Sequence, residues 1–384
     1  MVAELSTEDK IGQTLMLSLR TDANGKQRKK PVVAVDDELA RAIEELRPGG
    51  IILYAENLVD PRQTERLISD LQAVSGIPLF MAVDEEGGRV DRLASNPSMK
   101  APSLPPNLDI GRTGQSSLAY EKGKLVGEEV SSLGFNVAFS TIADIFTNPK
   151  NKVIGDRSYG SDPALASDFV EQEVRGIQEF PVIAVLKHFP GHGNTSQDSH
   201  LGLASSDRSV EELRAGEFLP FEAGIGAGAR GVMVGHIILP NAAEPNLPSS
   251  FSATVIQDML RGELGFEGLI FTDSLEMQGA SPEVKGADRA LTSFLAGADV
   301  LVEPPEPESS FHAMLEAYRA GAIDDARLDA TVKRILEAKT ALGLIIGEAS
   351  FPDRPGWERT LGQSRLFDVA KKIADAAAMA KTAQ

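Results

Sequence analysis

The sequence contains no cysteine among its 384 residues. This absence excludes thiol catalysis, disulfide bonds and thiolate metal sites, because each of them needs a cysteine sulfur. Positive charge is also scarce, since 38 lysine and arginine residues face 56 aspartate and glutamate residues and the formal net charge is −18. A chain with this charge repels nucleic acid and anionic lipid surfaces, so we expect neither as a partner.

Long uninterrupted apolar runs are missing as well. The opening segment, MVAELSTEDK, is acidic, and Gln13, Ser18 and Arg20 interrupt the apolar run that follows it. A secretory signal or a membrane-spanning helix needs a longer uninterrupted run, so we expect no membrane partner and a cytoplasmic location. The basic run KQRKK at 26–30 is isolated in a polar stretch, and we interpret it as a solvated loop.

The residues that are present have the balance of a globular protein, with 42% hydrophobic and 24% charged residues. Short β-rich apolar runs alternate with longer helix-patterned segments, which is typical of a parallel sheet built from βα units. The predicted strands are 11–19, 50–54, 78–83, 136–142, 182–187, 231–236, 268–272 and 299–302. Eight strands favour a closed (β/α)8 TIM-type barrel of the α/β class over an open doubly wound sheet.

Helix-patterned segments lie between these strands and after the last of them. Those between the strands are 37–46, 62–74, 118–133, 163–177, 210–225, 252–264 and 287–296, and those after the eighth strand are 309–318, 329–344 and 364–381. We interpret the later helices as extra C-terminal packing helices on a single domain. The predicted division is a barrel over 1–345, followed by a C-terminal loop and packing helix over 346–384.

Polar, charged and glycine-rich segments follow directly after four of the predicted strands. They are VDEEGGR at 83–89, KHFPGHGNTSQDSH at 187–200, GHI at 235–237 and TDSLEM at 272–277. In a barrel the carboxyl ends of the strands converge on one face, where active sites are built. Four of the five histidines lie in these segments, which favours proton transfer or ligand binding over packing.

Two of these segments carry candidate reactive groups. Asp273 follows the apolar run GLIFT, where it either caps a following helix or presents an anion to positive charge developing at a sugar carbon. Asp198 and His200 lie two residues apart on an expected extended or irregular loop. There the carboxylate can bond one imidazole nitrogen and leave the other free to donate and accept a proton near neutral pH.

The segments VDEEGGRV, IGDRSYG, KHFPGHG followed by DSH, and TDSLEM resemble the signature segments of the β-N-acetylhexosaminidases of glycoside hydrolase family 3. They occur in the family's order, and the likeness covers 11–344. The resemblance implies a retaining mechanism with Asp273 as nucleophile and with His200 as acid and then base, oriented by Asp198. The residues that it implies for binding the terminal sugar are Asp84, Arg92, Arg157, Lys187 and His188.

The substrate that the resemblance implies is a saccharide with terminal β-linked N-acetylglucosamine, and no metal or other cofactor is implied. Together with the expected cytoplasmic location, it points to peptidoglycan fragments cleaved during cell-wall recycling. Arg157 has the alternative of a structural loop arginine, and Arg89 could exchange roles with Arg92. Many relatives have glutamine where this chain has Glu85 and aspartate where it has Ser274, so subsite preference could differ.

Three alternatives stay open at this point. A metal-dependent hydrolase could use His188, His192, Asp198 and His200 as ligands, because neutral imidazole and carboxylate suit zinc. A catalytically inactive barrel could bind saccharide without cleaving it. A phosphorylase could use phosphate in place of water as acceptor, because a histidine base adds no negative charge that would repel phosphate.

Overall fold

Eight parallel strands form the centre of the protein. The computed structural model describes residues 2–197, 203–277, 284–345 and 356–383. The strands are β1 Leu15–Ser18, β2 Gly50–Leu53, β3 Phe80–Val83, β4 Val137–Ile142, β5 Ile183–Phe189, β6 Gly231–Val234, β7 Leu269–Thr272 and β8 Leu301–Val302. Nearly every strand residue is buried, as the apolar runs predict for a parallel sheet covered on both faces.

The strands join in the order β7-β6-β5-β4-β3-β2-β1-β8. The two strands at the ends of this order, β7 and β8, are neighbours as well, because a further parallel bridge joins Phe271 of β7 to Val300, which directly precedes β8. The (β/α)8 TIM-type barrel predicted from the alternation of strands and helices is therefore confirmed. In such a barrel the carboxyl ends of all eight strands surround one opening.

Helices surround the sheet. They are α1 Thr7–Gln13, α2 Asp37–Leu46, α3 Pro61–Val74, α4 Asn107–Gly111, α5 Ser117–Leu133, α6 Pro163–Ile177, α7 Val210–Ala215, α8 Phe218–Gly226, the π-helix Thr254–Glu263, α9 Asp288–Ala296, α10 Pro307–Arg319, α11 Asp325–Ala341 and α12 Ser364–Thr382. Asp60 and Asp162 accept hydrogen bonds from the first turns of α3 and α6, each of which has proline in its first turn. These side chains and prolines explain where the two helices begin.

Two predicted segments are wrong in part. The first predicted strand, 11–19, begins as the end of α1, because Ser6 and Asp9 form a capping box that starts a helix there. β1 therefore has only the second half of that run. The single helix predicted over 210–225 is two helices, separated at Gly216, whose backbone lies outside the helical region with φ −139° and ψ −80°.

The interior of the barrel is filled with side chains and is not a pore. Phe80, Phe139 and Phe271 are fully buried there, and the last two meet edge to face with ring centroids 5.4 Å apart. A second and larger apolar layer lies between the strands and the helices. Because this core fills the barrel, a ligand must bind beyond the ends of the strands.

The last helix packs on the outside of the barrel. α12 contacts α4 and α5, as a packing helix would. The domain division at 345 stays a prediction, because the residues 346–355 around it lie outside the described part of the chain. Within the described ranges, no helix combines the length and the apolar character needed to cross a membrane.

Candidate active site

A cavity of about 670 Å³ opens at the carboxyl ends of the strands. Asp84 follows β3, Lys187 and His188 belong to the end of β5, and Asp273 follows β7. The side chains that line the cavity include those of Asn148, Asn151, His192, Thr195, His236 and Asp273. The barrel therefore brings together segments that are far apart in the sequence.

A cluster of buried charges lies beside this cavity. Lys187 Nζ lies 2.9 Å from Asp84 Oδ1 and 2.7 Å from Glu86 Oε1. Arg157 binds Glu86 through two guanidinium nitrogens, Nε and Nη2, each at 2.8 Å. Arg92 Nη2 lies 3.3 Å from Asp84 Oδ2. Asp84, Arg92, Arg157 and Lys187, which the resemblance implies for sugar binding, thus meet in one ionic network.

Glu86 holds this network together, and sequence reasoning did not select it. Burial alone would raise the pKa of Glu86, but the charges of Lys187 and Arg157 outweigh burial and lower that pKa to about 2. The pKa of Lys187 is raised, since Asp84 and Glu86 outweigh the effect of its own burial. Glu86 and Lys187 are therefore both ionised near neutral pH. The available signal was the pair of consecutive glutamates directly after a buried strand.

Asp144 is a second residue that sequence reasoning missed. It follows β4, is 1% exposed, and accepts hydrogen bonds from the backbone N–H groups of His188, at 3.1 Å, and His192, at 2.6 Å. Its other oxygen lies 2.8 Å from His188 Nδ1. Because an ionised carboxylate only accepts, Nδ1 carries the proton and Nε2 is left to face Arg157 Nη2 at 3.5 Å.

The charge state of Asp144 follows from these contacts. Burial alone would raise its pKa, but the neighbouring His188 ring, which donates a hydrogen bond to it, lowers that pKa. An ionised Asp144 fixes the orientation of His188 at the edge of the charge cluster. No local pattern marked it, because its partners are more than forty positions away along the chain.

The other two described histidines of the cavity differ in role. His192 Nδ1 is hydrogen-bonded to Thr195 Oγ1 at 2.9 Å. His236 donates from Nε2 to the backbone carbonyl of Ser274 at 2.9 Å and accepts at Nδ1 from Ser250 Oγ at 2.6 Å. Burial lowers the pKa of both rings. His236 is thus a neutral residue with both nitrogens occupied, and it holds the turn after Asp273.

Asp273 lies in this turn as an ionised carboxylate. Its backbone N–H donates to Val234 on the neighbouring strand at 2.9 Å, and its Oδ1 accepts from the N–H of Ser274 at 2.8 Å. Burial alone would raise its pKa, but the nearby His188 ring and the hydrogen bond from Ser274 contribute to a net lowering of that pKa. The next described helix, α9, has Ala287 as its N-cap, so Asp273 is not the cap of that helix.

The two neighbouring arginines after β3 have different surroundings. Arg89 Nη2 donates to the backbone carbonyls of Lys152, Val153 and Ile154, and its Nε lies 3.0 Å from Asp156. Arg89 therefore fastens the loop before Arg157, whereas the guanidinium of Arg92 faces Asp84. Of the two candidates for sugar binding, Arg92 is the one in the charge cluster.

Asp198 and His200 lie outside the described residues. The described strands on either side, Ser196–Gln197 and Ala204–Ser205, pair in antiparallel fashion, and both Ser196 and Ala204 line the cavity. Within the described part of the chain, no group of three or more potential ligands is arranged to hold a metal ion. The metal-hydrolase alternative stays untested, since two of its four ligands fall outside that part.

Comparison with known proteins identifies the family. Residues 6–338 match the glycosyl hydrolase family 3 N terminal domain. The chain belongs to glycoside hydrolase family 3. The family and the class of enzyme expected from the sequence, a glycoside hydrolase, are thereby confirmed.

Individual relatives agree with this assignment. A β-hexosaminidase A of Pseudoalteromonas piscicida is 31% identical over 373 residues, covering 88% of this chain and 62% of that protein. A β-hexosaminidase of Stenotrophomonas maltophilia is 35% identical over 332 residues, covering 84% of this chain and 90% of that protein. The chain therefore spans less than two thirds of the first relative and most of the second.

Solved structures of the family have the same architecture. A family 3 β-N-acetylglucosaminidase from Paenibacillus sp. superposes with a TM-score of 0.86 at 32% identity, over 97% of this chain and 69% of that one. A β-glucoside phosphorylase superposes with a TM-score of 0.82 at 28% identity, over 97% of this chain and 65% of that one. Enzymes with two different acceptors thus share the fold of this family 3 chain.

Proposed function

We propose that this family 3 enzyme releases terminal β-linked N-acetylglucosamine with retention of configuration, through a covalent glycosyl-enzyme on Asp273. The observation that carries the proposal is the position of Asp273, which follows a barrel strand and lines a cavity beside a cluster of charged groups, where its pKa is lowered. A nucleophilic carboxylate must be ionised before it can attack the anomeric carbon.

The charge cluster supplies the groups that would bind the terminal sugar. Asp84 accepts hydrogen bonds, whereas Lys187, Arg157 and Arg92 donate them. A sugar hydroxyl can therefore find a partner here both as donor and as acceptor. His188 presents Nε2, because Asp144 occupies its other nitrogen. Burial of these groups strengthens each bond to the sugar, since less water competes for it.

The proton donor in this proposal is His200, oriented by Asp198, and both assignments rest on the resemblance. The donor is a cation before proton transfer and neutral after it. Activity should therefore fall as rising pH removes the proton from His200. The His200→Phe variant should still turn over substrates with an activated leaving group slowly. The rate of this residual turnover should no longer fall at alkaline pH.

The substrate that we propose is a peptidoglycan fragment carrying N-acetylglucosamine. The β-hexosaminidase names of the relatives support the sugar, and the cytoplasmic location predicted from the sequence would fit a recycling role. Hydrolysis of purified N-acetylglucosaminyl-anhydro-muramic acid, compared with chitobiose, tests the aglycone. A higher kcat/KM for chitobiose would contradict the peptidoglycan assignment.

The nucleophile is tested by trapping. Incubation with a 5-fluoro N-acetylglucosaminyl fluoride should label one peptide, and fragmentation should locate the label on Asp273. The Asp273→Asn variant is the matched control and should stay unlabelled. A label on any other residue would overturn the assignment, and absence of colour release from p-nitrophenyl N-acetyl-β-glucosaminide at every pH would favour the inactive saccharide-binding barrel.

Phosphorolysis is the second candidate, and the similarity to a β-glucoside phosphorylase favours it. In that reaction phosphate attacks the glycosyl-enzyme and leaves with the sugar as its 1-phosphate. The two candidates separate when products are analysed in phosphate buffer with N-acetylglucosaminide and glucoside substrates side by side. Sugar 1-phosphate as the main product would replace hydrolysis by phosphorolysis.

A further inference from the structure

The carboxyl groups of Glu85, Asp91 and Glu129 are buried together next to the segment that carries Arg92. Glu85 is 2% exposed, Asp91 is 7% exposed and Glu129, on α5, is 1% exposed. Glu85 and Asp91 are directly opposite each other in a short antiparallel hairpin formed by Glu85–Gly87 and Val90–Asp91. Because directly opposite residues of an antiparallel pair project to the same face, the two carboxyl groups lie close together.

Other oxygens of this pair are occupied by backbone donors. Glu85 Oε2 accepts from the N–H groups of Arg92, at 2.9 Å, and Leu93, at 3.1 Å. Asp91 Oδ1 accepts from the N–H of Ala94 at 2.7 Å. Two ionised carboxylates have no donor between them and repel each other in a buried site, whereas a single proton on the pair allows one to donate to the other.

The surroundings of the pair disfavour a second negative charge. Among the described residues, no ion pair joins Glu85, Asp91 or Glu129 to a lysine, arginine or histidine. Glu129 Oε1 is buried and has no hydrogen-bond partner in the described part of the chain, and Glu128 beside it on α5 adds another negative charge. Burial, together with Asp91 and Glu129, raises the pKa of Glu85 well above its usual range.

We propose that Glu85 is a positioning residue, which shares one proton with Asp91 and thereby holds the turn that presents Arg92 to Asp84 and to the bound sugar. The catalytic part of this inference rests on the function proposed above. With the proton in place, Glu85 binds the backbone of Arg92 and stays bonded across the hairpin. Without it, two carboxylates face each other in a buried site, the turn opens, and sugar affinity falls.

The Glu85→Gln variant tests the proposal, because an amide donates to Asp91 at every pH. We expect the KM of the wild-type enzyme to rise at least tenfold at alkaline pH, with the pH dependence of a single ionisation. The KM of Glu85→Gln should not change with pH, and kcat should have the same pH dependence in both enzymes. Glu337→Gln, whose side chain on α11 is 65% exposed, is the matched control and should follow the wild type. Superimposable KM profiles for the wild type and Glu85→Gln would overturn the proposal.

A second measurement does not depend on activity. The folded protein keeps a proton on Glu85 that the unfolded chain loses above the ordinary value of 4.5, so stability falls as pH rises toward the folded pKa. Between pH 4.5 and the folded pKa of Glu85, the ratio of the unfolding equilibrium constant of the wild type to that of Glu85→Gln should rise about tenfold per pH unit. Parallel stability curves would contradict the shared proton.

The two measurements separate the outcomes. If no saccharide is cleaved at any pH, the proposed function fails, yet the unfolding curves still decide whether the proton is shared. Asp91→Asn introduces an amide donor from the other side of the same bond and should give the same result as Glu85→Gln. Failure of both variants to fold would contradict the proposal, because either amide preserves the hydrogen bond.

Discussion

Neutralising Glu86 tests how far the charge cluster contributes to sugar binding and turnover. Ionic contacts in the folded protein lower the pKa of Glu86 from 4.5 to about 2, against the effect of burial. At about 1.4 kcal/mol per pKa unit, this lowering favours the ionised form by roughly 3 kcal/mol. Glu86→Gln forfeits that stabilisation while leaving Lys187 and Arg157 buried. We therefore expect the free energy of unfolding at neutral pH to fall by up to about 3 kcal/mol, and kcat/KM to fall as well, because Lys187 and Arg157 lose the carboxylate that positions them.

The assay is the hydrolysis of p-nitrophenyl N-acetyl-β-glucosaminide, with the folded state checked by circular dichroism. Glu179→Gln is the control, since its ion pair with Lys124 at 2.9 Å lies on the surface, and kcat/KM should not change. The same pair of variants tests stability. Because the folded pKa of Glu86 is depressed, its contribution is present above pH 4.5 and is lost as pH falls toward about 2.

The reasoning on Glu86 would be refuted by a Glu86→Gln enzyme with wild-type kcat/KM. It would equally be refuted if the difference in unfolding free energy between the two proteins were the same at pH near 2 as at neutral pH. Either result would mean that the ionised carboxylate does not stabilise the two cations.

Three further outcomes follow from the structure. Asp273→Asn should lower kcat by about 10³-fold or more while N-acetylglucosamine still binds in calorimetry, and near-normal turnover would exclude Asp273 as nucleophile. Asp144→Asn keeps an acceptor for the backbone of His188 but removes the charge, so kcat/KM should fall by roughly 10- to 100-fold and its pH profile should shift; an unchanged profile would contradict the positioning of His188. Lys339 donates to Gln13 Oε1 at 2.6 Å in a fully buried site, and burial lowers its pKa from 10.5 to about 7. The wild type should therefore gain stability as pH rises from about 7 to 10.5. Lys339→Met should remove this pH dependence and raise the free energy of unfolding, measured with denaturant at neutral pH, by a few kcal/mol. A destabilised variant would refute the idea that burying the ammonium group costs stability.

Local patterns in the sequence are enough to predict the strands, most of the helices and the face of the barrel that carries the chemistry. These features are local or periodic, because a buried parallel strand is a short apolar run and the residues after it must lie at the barrel opening. The order of the motifs also determined the family. Where a local signal was overlooked, as with the capping box of Ser6 and Asp9, the first strand was predicted too long.

Which of these polar residues contact each other depends on how the chain folds in three dimensions. Asp144 meets His188 across 44 positions and Glu86 meets Arg157 across 71 positions, and nothing in either local segment reveals its partner. The same holds for Arg92, which faces Asp84 while Arg89 fastens a neighbouring loop. Closure of the barrel sets these distances. Burial and the nearby charges then determine which carboxyl groups are ionised, so the ionisation of these groups cannot be predicted from the order of residues alone.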